Sequence, residues 1–126
     1  MLRIATLVVA LAVSSVALAA PDPKAVLQRE RVTAAQKVYT AGVSRLAAGA
    51  TSAEVVCSWS VRWLDAELAA GTPAKQAFPD HLSRMEKLET AMTKARDAGT
   101  VTSTEADVAT YFRIEAALWA TNGSKI

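Results

Sequence analysis

Along the second to last fifths of the chain, apolar side chains recur at steps of three and four, and no run alternates apolar with polar. Steps of three and four keep side chains on one face of a helix, so the pattern predicts helices and no sheet. Val32, Ala35, Tyr39, Val43 and Leu46 make the first stripe, widened by Leu27, Ala34 and Val38. Val56, Trp59, Trp63, Ala66 and Ala70 make the second. Phe78, His81, Met85, Leu88, Met92 and Ala95 make a third, with coiled-coil-like spacing. The fourth runs through Val108, Tyr111, Phe112, Leu118 and Trp119.

Capping residues set the ends. Asp22 followed by Pro23 opens the first helix, because an N-cap carboxylate satisfies a free amide and proline at the first position sacrifices no hydrogen bond. Gly49 closes it. Thr51-Ser52-Ala53-Glu54 and Thr102-Ser103-Thr104-Glu105 each fit a capping box, in which a hydroxyl and a Glu three residues on satisfy amides reciprocally. Gly71-Thr72-Pro73 ends the second helix and Gly99 the third. Pro79 is expected near the start of the third, since it cannot donate within a helix. The expected helices are residues 23–48, 52–70, 79–98 and 103–121.

Short connections make successive helices antiparallel neighbours. The expectation is therefore an all-α chain of two antiparallel helical hairpins, its first helix about 40 Å long at 1.5 Å per residue. They form either a closed four-helix bundle or extended, coiled-coil-like hairpins that pack on partners. A shift of 51 residues aligns Arg45 with Arg96, Thr51 with Thr102, Glu54 with Glu105 and Arg62 with Arg113, which fits either a duplicated hairpin or shared hairpin grammar.

Residues 1–19 change the picture at the N-terminus. One cation, Arg3, precedes a small-and-apolar run ending in Ala17-Leu18-Ala19, the form of a cleaved secretory signal peptide. The run is short for a membrane span. A helical-hairpin domain over residues 20–126, periplasmic or secreted and without a stable membrane span after cleavage, is the expected product. Only Arg3 of the 14 Lys and Arg lies in the leader, so the remainder carries 13 cations against 12 acids. Near-neutral charge with interspersed signs gives no basis for nucleic-acid binding.

Chemistry is sparse. Cys57 is the one cysteine and His81 the one histidine. A hydrolytic Cys57–His81 pair would need the two side chains to converge. His81, Met85 and Met92 could hold a soft metal from one face, but are more economically read as seam packing with one polar tip. Two Glu-x-x-His motifs would be needed for a di-metal bundle and none occurs, nor does a C-x-x-C-H, so di-metal and c-type haem readings fail and no cofactor is expected. Glu115, between Tyr111 and Trp119, is expected to be partly buried and to meet Arg62 from a facing helix as a structural ion pair. Trp59, Trp63, Met85, Met92, Tyr111 and Trp119 form a seam that is core in a closed bundle and interface in extended hairpins.

The segments Ala47-Ala48-Gly49-Ala50-Thr51-Ser52-Ala53-Glu54-Val55 and Ala98-Gly99-Thr100-Val101-Thr102-Ser103-Thr104-Glu105-Ala106-Asp107-Val108 resemble the hairpin turns of TolC-type outer-membrane efflux proteins. The resemblance covers residues 35–67 and 85–119. Members of that family are several hundred residues long and carry β-barrel strands, so this chain departs from them in length and in lacking a strand. The segment from Trp59 to Glu67 also resembles short exported bacterial proteins that carry no known activity. Together these imply a non-enzymatic protein acting by helix–helix contact, as a homo-oligomer or on an envelope protein. The alternative is a small-ligand or metal-binding helical bundle.

Overall fold

The computed structural model describes residues 10–12 and 20–126, and the expected signal peptide lies almost wholly outside them. Four helices follow in order, α1 (Pro23–Ala47), α2 (Ala53–Ala69), α3 (Ala74–Asp97) and α4 (Ser103–Asn122). The chain is all-α, as two hairpins, and none of the described helices is long and apolar enough to cross a membrane.

The hairpin turns are built by local rules. In the first, Gly49 takes a left-handed φ of 73°, which a side chain would oppose, and Ala50 N donates to Arg45 O across the helix end. Gly99 and Thr100 repeat that geometry at the end of α3. The N-caps that follow are Ser52, which accepts from Val55 N, and Thr102, which accepts from Glu105 N. Equivalent turn residues thus lie 50 positions apart, one fewer than the shift that aligns the sequences.

Two boundaries differ from expectation. Helix α3 begins at Ala74, five residues before Pro79, because Ala77 and Phe78 are buried and hold that extra turn against the core. Pro79 and Lys75 are exposed, so the Lys75 carbonyl that loses its amide partner opens to water. The first capping box is displaced by one residue onto Ser52, and neither box closes reciprocally. Glu105 reaches across instead, its Oε2 accepting from Ala53 N at 2.7 Å, so the second hairpin supplies the cap of a helix in the first.

Helix α2 is the central rod. It packs closely on α1 and also meets α3 and α4, while the backbone of α1 approaches neither α3 nor α4. The contact between α1 and α4 that would close a bundle into a ring is therefore missing. At Gly42 the α1–α2 approach is so close that a Cβ would sit 3.3 Å from Val56 Cγ2. The third stripe is core as expected, with Phe78, His81, Met85, Leu88 and Met92 all buried. The fourth is rotated: α4 buries Ala106, Ala109 and Ala116, and turns Tyr111, Ile114 and Leu118 outward. Alanines permit the close α3–α4 approach, and their small side chains carry little hydropathy signal.

Candidate functional site

Helix α2 turns Ser60, Trp63 and Glu67 toward one side at helical spacing, and α3 brings His81 and Arg84, three residues apart, to meet them. Arg84 Nε donates to Ser60 Oγ at 2.7 Å and Nη2 to Ser60 O at 3.2 Å. The Ser60 hydroxyl also shares a buried hydrogen bond with His81 Nδ1, 2.8 Å away, whose direction follows the imidazole tautomer. Burial pushes the His81 pKa down to about 3, assisted by Arg84 and Lys125. The ring stacks on Trp119, centroids 5.7 Å apart.

Three buried polar atoms in this region have no partner: His81 Nε2, Trp63 Nε1 and Glu67 Oε2. Burial raises the Glu67 pKa, Arg84 pulls it back and Asp80 pushes it further up. The Trp63 indole, one turn away, also lowers it, although from a geometry short of a formed hydrogen bond.

Each tryptophan lies at the edge of the core with a cation near its ring. The Arg62 guanidinium is 4.5 Å from the Trp59 centroid, Arg84 is 3.9 Å from Trp63, and the Lys125 ammonium is 5.1 Å from Trp119. Such contacts favour the ring face, where the π-system is negative. The expected Arg62–Glu115 pair does not form, because Arg62 is stacked on Trp59 and Glu115 accepts from the Tyr111 hydroxyl on its own helix at 3.2 Å. The interhelical pair is Arg113 with Glu89 at 3.0 Å, joining α4 to α3. Met85 and Met92 are in the core, whereas Tyr111 is 61% exposed.

Cys57 is buried, and burial raises its pKa to about 12, with Glu105 adding to the effect. No hydrogen bond joins Cys57 to His81, whose Nδ1 is occupied by Ser60. The Cys57–His81 pair is thereby corrected to a Ser60–His81–Arg84 node. Ser60 and Arg84 were not anticipated. Their signal was a serine between two tryptophans, Trp59 and Trp63, in the stretch Val55–Trp63, and an arginine three residues after the histidine.

Because the backbone of α1 approaches only α2, a groove of about 420 Å³ opens between α1 and α3, bridged by Arg84 lying 5.9 Å from the Tyr39 ring. Trp63 lies at its centre, Tyr39 and Val43 on the α1 side, Arg84, Lys87 and Leu88 on the α3 side. A second groove, of about 480 Å³, lies between α1 and α2 beside Trp59, with Lys37 and Arg45 on its walls. No acidic residue lines either one. The chain matches no family model, no curated protein and no solved structure. The site is therefore argued from its own geometry.

Ser60 and His81 have no exposed surface. Solvent-facing features include the two cationic, aromatic grooves and the apolar stripe of α4.

Proposed function

We propose that this is an exported, non-enzymatic helical-hairpin protein that works by helix–helix contact, with a second copy of itself or with another envelope protein. The observation that carries the proposal is the stripe on α4: Tyr111, Ile114 and Leu118 are 61%, 46% and 58% exposed and share one face at steps of three and four. Large side chains left out at that spacing form the kind of apolar seam that helices use to pair. The leader-like residues 1–19 and the turns that resemble TolC-type hairpins support the envelope setting. The buried, high-pKa thiol of Cys57 and the sealed Ser60 hydroxyl support the non-enzymatic part.

Light scattering coupled to size exclusion tests this reading on the processed protein. A mass that rises with concentration, or a defined complex with an envelope protein, is expected, and Leu118→Glu should abolish either while leaving the helical spectrum intact. A monomer at all concentrations that binds no apolar dye and no envelope protein would refute it.

A further inference from the structure

In the α1/α3 groove a half-buried cation meets an open apolar cavity. A guanidinium has five N–H donors. Arg84 directs two toward Ser60, and its others find no acceptor among the described residues. No carboxylate lies within salt-bridge distance of it. Glu67 and Asp80 act on it from farther away, and neither lines the groove. Lys87 adds a second cation on the same wall, and Thr40 and Ser44 supply hydroxyls opposite. The remaining lining is apolar or aromatic: Tyr39, Val43, Trp63, Leu88 and Ala91.

A mostly apolar cavity with a few converging polar groups is the usual form of a small-molecule site, and 420 Å³ falls within the size range of such sites. A half-buried cation with donors left over favours an anion, and a carboxylate matches the guanidinium fork best. The groove is also short. Its α3 wall, residues 84–91, is about 10 Å long at 1.5 Å per residue, the reach of a medium acyl chain and too little for a docked helix.

We propose that this groove binds a small amphipathic carboxylate, with its tail along Val43, Trp63 and Leu88 and its head at Arg84 and Lys87. The assignment is independent of the α4 surface, so either can fail without the other.

The test is titration of the protein with octanoate and, separately, with octanol, read by calorimetry and by the assigned indole N–H signals in nitrogen-15 spectra. Octanoate should bind with a Kd below about 1 mM. Octanol should bind at least about tenfold more weakly, having lost the charge-assisted contact. The Trp63 indole signal should move and that of Trp119 should not. Val43→Glu, at an exposed position, should weaken octanoate about tenfold or more by filling the groove and repelling the anion. Lys87→Gln should weaken it by about threefold, as befits a surface charge. Circular dichroism verifies that both variants are folded, and should Val43→Glu not fold, Lys87→Gln and the octanol comparison decide. Equal affinity for octanol, shifts centred on Trp119, variants that bind undiminished, or no binding of octanoate at about 5 mM would each overturn the proposal. So would occupation of the groove by a second copy or an acidic helical peptide that excludes octanoate.

Discussion

His81 shows what a polar residue must give up to lie in this core. Its ring is fully buried and neutral, one nitrogen is hydrogen-bonded to Ser60, and the other has no partner. The folded-state pKa, about 3, lies below the ordinary value of 6.5. Between those values the unfolded chain binds a proton that the folded chain does not, so stability falls as pH drops from about 6.5 toward 3. The full effect is on the order of 5 kcal/mol at the acid end, and the raised pKa of Glu67 opposes it, since that carboxyl gains a proton more readily in the folded state. Urea unfolding across this range should show the decline, and His81→Gln should flatten it. An unchanged slope in the variant would remove His81 as its source. The histidine was legible in the sequence as a seam residue with one polar tip. Its partners were not, because a serine and an arginine on different helices announce nothing until the hairpins are packed.

At the scale of the helices, the caps are where sequence and structure agree best and where they part most informatively. Asp22, Gly49 and Gly99 act as local chemistry requires. The Glu of the second box does not, because the start of α2 lies within reach of α4 and Glu105 accepts from Ala53 N rather than from its own helix. Thr102 still caps α4, so Glu105→Gln should spare the end of α4 and loosen that of α2. Replacing the charged acceptor should cost about 1 kcal/mol, measurable by thermal or urea unfolding. A variant as stable as the parent would show that the cross-hairpin cap adds nothing. The α4 face was misread because alanine gives little contrast in a periodicity dominated by Tyr111, Leu118 and Trp119. The α3 face was read correctly because Met85, Leu88 and Met92 carry the pattern unaided.

For the whole molecule, the fold class and hairpin order follow from the sequence, but the way the hairpins join does not. Helical spacing and caps specify antiparallel pairs, and both a closed ring and an open array satisfy them. The choice is made by long-range fits, among them Val56 against Gly42, Glu105 on Ala53, and Ser60 with His81 and Arg84, which place α2 in the middle and leave α1 at the side. That placement creates both grooves flanking α1. Native-state hydrogen exchange tests it most directly, since amide protection follows the free energy of local opening. Helix α1, whose backbone packs on one neighbour, should exchange ahead of the others, first over residues 23–34, while α2 should be slowest. Protection of α1 equal to that of α2 and α3 along its whole length would contradict an open arrangement and require a partner across its free side.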